Sequence, residues 1–518
     1  MGLFHIVALF AALTLADFTQ NTLTRSLNEQ TGGCIAACKR LTNSFPGQVL
    51  QRNTSAYREF MDAYWAVQQQ DTFPRCVFQP ADASEVAALI RLVQETQCPF
   101  AVRSGGHGAF AGVSNIPDGI VVSLMLLNKI TVSENSSRVS VGAGNRWLDV
   151  YKSLEDRGIT IAGGRYPTVG VGGLSVGGGA SFFANARGWT CDNILGYELI
   201  TANGSIIQVS NTSFPDLHWA LRGGGNNFGL ITKMHFEAFP LRDGLMWGGL
   251  RVSFESEIPA ILQAAYNLGT IGAECDPGVG QIINVVRYRG IKVAVAILSY
   301  IDPIERPPAM AEFLSIPTVN DSTDSTRVRT LTNLSAELGG DNALGEDSGS
   351  KRRGRGTATF RLSVEMLTYA KDVCFEEFDS AAYVEELDSV CVFQVITRSQ
   401  LTASEHRGGN AFGLDSADGP LFLLNVVLSW PHAADDVRVG QVSRNIIERT
   451  TEYARARGWD MDFVYMNYAG EFQDVFAGYG AVNKARLAAI AEKYDPTGVF
   501  QRLQPGYFKL ARLSSNTR

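Results

Sequence analysis

The sequence predicts an α+β protein of two domains, and three observations support that class. The chain has 518 residues, more than a single hydrophobic core usually holds together. Its first half alternates short apolar strands with helices, and clusters of glycine interrupt them. From about residue 245 to 460, longer strand-like runs alternate with helical ones, which indicates a second α+β domain that covers a ligand bound to the first.

The individual elements follow from the spacing of apolar residues and from helix and strand breakers. Residues 75–78 are typical of a strand that ends before Pro80. Residues 84–93 have helical spacing, with Asp82 or Ser84 as the N-cap. The remaining predicted elements are strands at 99–101, 119–124, 139–144, 246–252, 293–300 and 421–430 and a helix at 147–154.

A polar tract runs from residue 319 to residue 356 and ends in the basic run 351–355, Lys-Arg-Arg-Gly-Arg. We interpret this tract as a solvated loop between two elements. A proteolytic processing site at the basic run is the alternative.

Composition limits the kinds of partner that the chain can have. Hydrophobic residues make up 45% of the chain and charged residues 19%, as in an ordinary soluble globular protein. The formal net charge of −7 argues against nucleic acid or an anionic membrane as the main partner. Nothing in the sequence indicates an obligate protein partner.

The N-terminus carries an apolar run over residues 3–15 that is too short to span a bilayer. Thr14 and Ala16 are small enough for signal-peptidase cleavage, so we expect a signal peptide over residues 1–16 and secretion. A buried N-terminal helix is the alternative, because no Lys or Arg precedes the run. Six Asn-x-Ser/Thr sequons agree with secretion. They begin at Asn53, Asn135, Asn203, Asn211, Asn320 and Asn333.

The eight cysteines also agree with an oxidising compartment. Four of them precede residue 107, so disulfides there would tie the N-terminal segment to the strand that leads into this region. Spacing alone leaves the connectivity open, and Cys38–Cys98 is the pair that we favour. No Cys-x-x-Cys or His-Glu-x-x-His spacing occurs, so we expect no metal site.

Three glycine clusters, at 105–108, 170–179 and 223–229, predict a ligand held by backbone. In the first, two glycines allow a turn whose amides form an anion-binding nest, and His107 stands at its tip. A surface-turn histidine without a partner is the alternative for His107. No cluster matches Gly-x-Gly-x-x-Gly or a P-loop. Their spread over some 120 residues favours a long, phosphate-bearing cofactor.

Five motifs occur in order along the chain, and together they resemble the berberine-bridge-enzyme-like flavoproteins of the vanillyl-alcohol-oxidase superfamily, in particular the secreted fungal members. The resemblance covers the chain from about Cys34 to the C-terminus. The motifs are Arg-Ser-Gly-Gly-His (103–107), Pro-Thr-Val-Gly-Val-Gly-Gly (167–173), Arg-Gly-Gly-Gly-Asn-Asn-Phe-Gly (222–229), Tyr-x-Asn-Tyr (465–468) and a terminal run from Tyr479-Gly480 to Phe500 that includes Tyr494-Asp495-Pro496.

The resemblance implies a domain arrangement. Residues 70–241 would form a two-lobed PCMH-type FAD-binding domain, preceded by the segment 17–69 and completed by residues 462–518. Residues 242–461 would form the substrate domain, a large antiparallel sheet backed by helices.

The resemblance also implies FAD as the cofactor. A ring nitrogen of His107 would bond the flavin 8α-methyl carbon, and the pyrophosphate would lie on backbone amides of residues 103–107. Residues 167–173 would run along the isoalloxazine, and residues 222–229 would support the adenosine. The residues expected to contact FAD are Arg103, Ser104, Gly105, Gly106, His107, Gly108, Pro167, Thr168, Val169, Gly172, Gly173, Gly177, Asn193, Gly224, Gly225, Phe228, Gly229, Ile231 and Asn467.

One departure from the family bears on the flavin linkage. Many relatives carry a cysteine, which makes a second bond to the flavin, where this chain has Tyr166. A single histidyl link is therefore implied. Because the doubly linked relatives tend to act on oligosaccharides, the departure disfavours a sugar substrate. Val169 stands at the position of the family's oxygen gate, and its modest size favours an oxidase.

In this chemistry the flavin takes a hydride while the protein removes a proton. The family's base position corresponds to Asn425, whose amide could orient a substrate but could not accept its proton; a polar residue of an edge strand or turn is the alternative. Tyr465 and Tyr468 are the other catalytic candidates, because a phenol with a lowered pKa could act as the base. One of the two tyrosines could instead be merely packed.

The expected function is that of a secreted FAD-dependent oxidase that acts on a small alcohol, amine or activated C–H compound and reduces O2 to H2O2. A carbohydrate oxidase or dehydrogenase of the same fold is the alternative. A secreted flavin-binding protein without catalytic activity is a third possibility.

Overall fold

Three β-sheets and their covering helices form the described part of the chain, residues 32–288, 290–339 and 351–510 of a computed structural model. The predicted signal peptide, residues 1–16, lies outside these residues. Within them, no helix has both the length and the apolar character that a membrane span requires.

The first sheet has four strands in the order β1-β2-β4-β3, and β4 pairs in parallel with β2 and with β3. Helix α4 begins where the Asp82 carboxylate accepts hydrogen bonds from the N–H groups of Ser84 and Glu85, and its apolar side packs on this sheet. The elements of this region are β1 Val49–Gln51, β2 Cys76–Phe78, β3 Phe100–Arg103, β4 Ile120–Ser123, α1 at 32–44, α2 Ser55–Asp62, α3 Val67–Gln70 and α4 Ala83–Thr96.

The second sheet has six strands in the order β5-β6-β10-β8-β9, with β7 paired to the end of β10. Its longest strand, β10, pairs with β6 on one side and β8 on the other and is buried along most of its length. The elements are β5 Ile130–Val132, β6 Arg138–Gly142, β7 Ile159–Ile161, β8 Ile194–Ile200, β9 Ile206–Ser210, β10 Leu230–Pro240, α5 Trp147–Glu155, α6 Val171–Val176, α7 Ala184–Arg187 and α8 Pro215–Ala220.

The third sheet has eight antiparallel strands in the order β14-β11-β13-β12-β16-β17-β15-β18. Its strands are β11 Leu245–Phe254, β12 Val279–Tyr288, β13 Ile291–Tyr300, β14 Arg327–Thr330, β15 Arg352–Arg361, β16 Asp388–Ile396, β17 Leu421–Trp430 and β18 Asp460–Met461. The helices from here to the C-terminus are α9 Ile258–Asn267, α10 Ala273–Cys275, α11 Ala311–Ser315, α12 Leu331–Leu338, α13 Val364–Ser380, α14 Arg398–His406, α15 Asp436–Arg455 and α16 Ala481–Tyr494.

Strand β17 shows how the third sheet is covered on both faces. Phe422, Leu424, Val426 and Leu428 pack in one core with α9, α13 and α15. The alternate residues, among them Leu421 and Val427, join the core of the glycine-cluster region. Because side chains alternate along a strand, a strand buried on both faces reads as the continuous apolar run seen in the sequence. The predicted α+β class, with a large antiparallel sheet backed by helices, is confirmed.

The basic run 351–355 is not part of a solvated loop, and that interpretation was wrong. It begins β15, which lies between β17 and β18. The buried Arg352 guanidinium donates two hydrogen bonds to the Asp436 carboxylate and a third to Asp71. The Lys351 ammonium pairs with Asp388. Acidic partners distant in sequence therefore allow this basic run to lie within a sheet. Within the same tract β14 and α12 also form, whereas residues 340–350 lie outside the described residues.

The favoured Cys38–Cys98 disulfide was also wrong. The bonds are Cys34–Cys98 and Cys38–Cys76, with a third between Cys374 and Cys391. Residues 34 and 38 lie one turn apart on the same face of α1, so each presents its thiol to a different neighbour. Both bonds tie the N-terminal helix to the first sheet, as the positions of the cysteines predicted. Cys191 and Cys275 are free thiols.

Candidate active site

A cavity of about 280 Å³ lies between the glycine clusters and one face of the third sheet. It brings together many residues that the sequence singled out. The predicted site residues on its wall are Ser104, Gly105, Gly106, His107, Gly108, Val169, Gly172, Gly173, Gly225, Gly229, Ile231, Asn425, Tyr465, Asn467 and Tyr468. The wall also contains Arg165, Tyr166, Asn284 and Arg355, of which only Tyr166 had been connected with the site from the sequence.

The first two glycine clusters contact each other backbone to backbone. A Cβ atom on Gly105 would lie 2.3 Å from the Gly170 nitrogen, so only glycine fits. The Ser104 hydroxyl joins the same loops, because it donates to the Ala143 carbonyl oxygen at 2.7 Å and accepts from the Gly172 N–H at 3.2 Å. In the described part of the chain, the N–H groups of Gly105, Gly106 and His107 donate to no protein acceptor. These amides can therefore bind an anionic group.

The His107 imidazole is half-buried at the edge of this loop, and its Nε2 atom is fully buried. Its ring stacks on the Trp65 indole with centroids 4.2 Å apart and planes 14° apart. Burial, and then the nearby charges of Arg355 and Arg353, lower the pKa of His107 well below its ordinary value. The imidazole is therefore neutral at pH 7, and its Nε2 atom has no hydrogen-bond partner among the described residues. A neutral ring with an uncommitted nitrogen can act as a nucleophile.

Seven of the expected FAD contacts are absent from the cavity wall. The Arg103 guanidinium turns away and donates to the carbonyl oxygens of Phe60 and Ala63, both at 2.6 Å. The Asn193 amide donates to the carbonyl oxygens of Arg187 and Trp189. These two side chains support the loops that line the cavity. The other five residues off the wall are Pro167, Thr168, Gly177, Gly224 and Phe228.

The two candidate tyrosines have different surroundings. The Tyr465 hydroxyl oxygen accepts hydrogen bonds from the Gly179 N–H at 2.9 Å and from the Asn467 amide at 3.1 Å. Burial, and then the neighbouring Tyr468, raise the pKa of Tyr465 well above its ordinary value of 10. A raised pKa is the opposite of what a base requires, so Tyr465 stays a phenol that helps to position residues 465–468.

The Tyr468 hydroxyl lies in a polar triad that was not expected from the sequence. Its oxygen accepts hydrogen bonds from the Arg165 guanidinium at 2.5 Å and from the Gln394 amide at 2.9 Å. Arg165 also donates to the Gln394 amide oxygen at 2.7 Å, which closes the triad. With two donors on its oxygen, the phenol can direct its own proton toward the cavity. The cationic guanidinium can compensate negative charge that develops on the Tyr468 oxygen.

Asn425 lies in the interior of the third sheet, so the alternative of an edge-strand residue is excluded. Its strand pairs with β16 on one side and β15 on the other. The register places Asn284 of β12, Val392 of β16 and Asn425 of β17 in one row across the sheet. Both asparagine side chains are 3% exposed, and neither Oδ1 atom has a hydrogen-bond partner among the described residues.

The cavity wall has no Asp, Glu, Lys or Cys, and its charged side chains are Arg165, Arg355 and the titratable His107. A carboxylate base and a cysteinyl link to the cofactor are therefore both absent from the described wall. Residues 173–177 also match the Gly-x-Ser-x-Gly pattern of hydrolases. However, Ser175 lies inside helix α6, and its buried hydroxyl has no hydrogen-bond partner in the described chain that could activate it.

Comparison with known proteins identifies the family. A family model described as an FAD binding domain matches residues 74–210. The FAD-dependent monooxygenase tpcD of Cochliobolus heterostrophus is 35% identical over 496 residues, which cover 92% of this chain and 95% of that protein. The FAD-dependent monooxygenase FUP4 of Fusarium proliferatum is 36% identical, with 86% and 87% covered. The chain belongs to the berberine-bridge-enzyme-like FAD-dependent oxidoreductases. The family predicted from the five motifs is confirmed.

Solved structures agree with this berberine-bridge-enzyme-like fold. The 6-hydroxy-D-nicotine oxidase of Arthrobacter nicotinovorans superimposes with a TM-score of 0.71 at 22% identity, covering 88% of this chain and 97% of the other. The glucooligosaccharide oxidase of Acremonium strictum, described as carrying a 6-S-cysteinyl, 8α-N1-histidyl FAD, gives 0.73 at 17% identity, covering 92% and 98%. At these identities the likeness concerns the fold alone.

The cavity of this berberine-bridge-enzyme-like protein fits FAD. Uncommitted amides of the 105–107 loop suit a pyrophosphate, and glycines leave backbone on the wall over a long stretch. The orphaned nitrogen of His107 stands on the same wall. FAD as the cofactor and oxidoreduction as the chemistry agree with the sequence-based prediction.

Proposed function

We propose that the chain is a secreted oxidase that takes a hydride from a small organic substrate, holds its flavin through His107 alone, and uses O2 as the electron acceptor. When bound, FAD accepts the hydride and passes the electrons to O2. The observation that carries the proposal is that one cavity wall presents both the uncommitted His107 ring and the Tyr468 hydroxyl.

The single covalent link rests on the surroundings of His107. Trp65 holds the ring plane, and burial with two neighbouring arginines keeps the ring neutral. A neutral imidazole can form the bond, whereas a protonated one cannot. Tyr166 lines the cavity where many relatives carry cysteine, and no lining residue is a cysteine. These facts support one histidyl bond rather than two. The remaining FAD contacts that we propose are those predicted from the five motifs and found on the cavity wall.

Tyr468 is the residue that we propose as the base. Because the wall lacks carboxylates, the proton that leaves the substrate must go to another group. Arg165 and Gln394 fix the Tyr468 oxygen at hydrogen-bond distance and oppose its rotation. In the base role the Tyr468 oxygen is a phenolate, whose negative charge Arg165 compensates until the oxygen takes the substrate proton and becomes a neutral phenol. Asn425 positions the substrate and takes no proton.

Acceptance of electrons by O2 is supported by Val169, a modest side chain on the cavity wall. The relatives named FAD-dependent monooxygenases provide a second candidate for the fate of oxygen, because such an enzyme would place one oxygen atom in the product. A carbohydrate oxidase is a third candidate, and the glucooligosaccharide oxidase shares the fold. The aliphatic side chains of β12, β13 and β16 on the wall favour a less polar substrate.

We also propose secretion, with removal of residues 1–16 and glycosylation. All six sequon asparagines, at positions 53, 135, 203, 211, 320 and 333, are exposed, and three disulfides are formed. The domain division that we propose keeps residues 17–241 with 462–518 on the FAD side and 242–461 on the substrate side. All strands of the third sheet fall within the latter range.

The test is a panel of alcohols, amines, phenols and oligosaccharides incubated with the secreted holoenzyme under ¹⁸O2. Release of H2O2 equal to substrate consumed, without ¹⁸O in the product, supports the oxidase. Incorporation of ¹⁸O supports the monooxygenase candidate. Absence of both, for a protein that carries FAD, contradicts an enzymatic role on these substrate classes and favours a flavin-binding protein without activity.

A further inference from the structure

We propose that Asn284 and Asn425 form an amide pair that recognises the substrate, and that the substrate is an uncharged, largely apolar molecule that donates hydrogen bonds to both residues from hydroxyl or N–H groups. This inference rests on the proposed function, since it concerns the substrate of the same cavity.

The register of the third sheet places the two asparagines in one row. Asn284 pairs with Val392, and Val392 pairs with Asn425, so the two amides flank one valine in a single row. Two inter-strand steps separate their backbones by about 10 Å. Both side chains lie on the cavity wall with Val392. Amides that stand on two strands of a rigid sheet can hold one molecule at two points.

The two amide oxygens lack hydrogen-bond partners in the described part of the chain. Each side chain is 3% exposed, and each Oδ1 atom is buried without a hydrogen-bond partner among the described residues. A buried carbonyl oxygen without a donor costs stability, so a protein gains nothing from two of them unless a ligand completes them. The amide of Asn467, which also lies on the cavity wall, donates to the Leu174 carbonyl oxygen, and the Gln394 amide beside the cavity donates to Tyr468. The orphaned pair is therefore distinct from the amides that maintain the fold.

The rest of the cavity wall argues against a charged substrate. Around the pair stand aliphatic side chains, among them Ile282, Ile297 and Val390. No carboxylate lines the cavity to receive a cationic substrate. Arg165 is bound to Gln394 and Tyr468, and the Arg355 guanidinium lies over the Trp65 ring, 5.0 Å from its centroid. A neutral molecule with apolar bulk and two hydrogen-bond donors satisfies this wall best.

The experiment measures binding to the oxidised holoenzyme by the change in its flavin absorbance, so it does not depend on turnover. The probes share one ring system: 2,6-dihydroxynaphthalene, 2,6-dimethoxynaphthalene and naphthalene-2,6-dicarboxylate, with cellobiose as the carbohydrate. We expect the dihydroxy probe to bind at least about tenfold more tightly than the dimethoxy probe, which cannot donate. Equal binding of these two, or tighter binding of the dicarboxylate or of cellobiose, overturns the proposal.

Two variants, Asn284→Leu and Asn425→Leu, test the pair itself. Leucine has a similar volume and needs no partner, so we expect each variant to keep its FAD and a Tm at least equal to that of the parent chain, while the preference for the dihydroxy probe falls about tenfold. Asn128→Leu, the same exchange at an exposed site, keeps the preference. An unchanged preference in the cavity variants, or a lowered Tm, shows an ordinary structural role and overturns the inference. Because binding is read without turnover, a failed oxidase assay leaves this result intact.

Discussion

The hydroxyl of Tyr468 depends on two residues that are far away in sequence, Arg165 and Gln394. If it serves as the base, Tyr468→Phe should lower kcat by about a hundredfold or more, the usual contribution of a positioned acid or base. FAD content should stay unchanged, because the ring remains. Tyr465→Phe removes a hydroxyl of the same wall whose pKa is raised, and we expect a much smaller loss of kcat. Equal losses in the two variants would contradict the assignment.

His107 supports a second prediction at the level of single side chains. His107→Ala should retain some FAD in the native state, lose all flavin from the acid-precipitated polypeptide and lose most turnover. Some FAD should remain because the backbone of residues 105–107 still binds it, and no flavin should survive acid because the bonding nitrogen is gone. Trp65→Phe, which keeps an aromatic face against the imidazole, should form more covalent flavin than Trp65→Ala. Turnover of His107→Ala equal to that of the parent chain would argue against a role for the linkage.

Much of the candidate site could be predicted from the sequence, because it lies in local motifs. The Gly-Gly-His turn, the 169–173 segment and the Tyr-x-Asn-Tyr segment all contribute to the cavity wall. Arg165, Asn284 and Gln394 could not be predicted in this way. Each is one polar residue outside any motif, and it comes to the site only when β12, β16 and the Tyr-x-Asn-Tyr segment lie together.

The close contact between the first two glycine clusters predicts that a side chain at residue 105 disrupts the FAD site. Gly105→Ala would place a Cβ atom 2.3 Å from the Gly170 nitrogen, so the two loops must separate. We expect the FAD content of the purified protein to fall severely, at a stability cost of about 1–3 kcal/mol from overpacking. Absorbance at flavin wavelengths per polypeptide measures this directly. Gly440→Ala is the control, since a Cβ there meets nothing within 4 Å. Normal FAD content in Gly105→Ala would contradict the loop packing.

Strand β15 shows where sequence reasoning about elements failed. The run 351–355 has the composition of a solvated loop, yet it forms a strand between β17 and β18. What reverses the local preference is tertiary: Asp436 and Asp388 supply opposite charges, and the Trp65 ring lies under two of the guanidiniums. Strand β17, by contrast, was evident from its apolar run, because burial on both faces needs no distant partner to be recognised.

For the whole molecule, buried histidines predict how stability depends on pH. Burial and the nearby Arg222 lower the pKa of His218 to about 4, and the residue is off the cavity wall. The folded protein keeps this ring neutral, while the unfolded chain binds a proton below about pH 6.5. Above about pH 6.5 the ring is neutral in both states and costs no stability. As the pH falls toward 4, proton binding by the unfolded chain lowers the free energy of unfolding.

The measurement is Tm at pH 7.0 and pH 4.5 for the parent chain and for His218→Gln. We expect the parent to lose more Tm between these values than the variant does, since glutamine binds no proton. The difference between the two Tm losses removes the effect of the carboxylates, because both proteins contain the same ones. Parallel slopes would mean that the His218 pKa is not lowered in the folded state.

The three-sheet architecture could be predicted only through the resemblance. Periodicity identified the strands at 120–123, 138–142 and 421–430 but not the order of the sheets, in which β15 pairs with β17 and β10 with β6. Those pairings join residues that are at least 60 positions apart, such as Arg361 and Leu421, and local patterns carry no information about such distances. The same limit explains why the pairing of Cys34 and Cys38 was not predicted, because it depends on how α1 packs on the first sheet.

We propose that one cavity holds FAD through a bond to a single imidazole, that of His107. Mass spectrometry of tryptic peptides from the denatured secreted protein tests it most directly, because residues 104–129 form one peptide that contains His107. We predict that this peptide carries one flavin adduct, located on His107, and that no other peptide does. An unmodified 104–129 peptide, or a flavin attached to any other residue, would contradict a single histidyl link through His107.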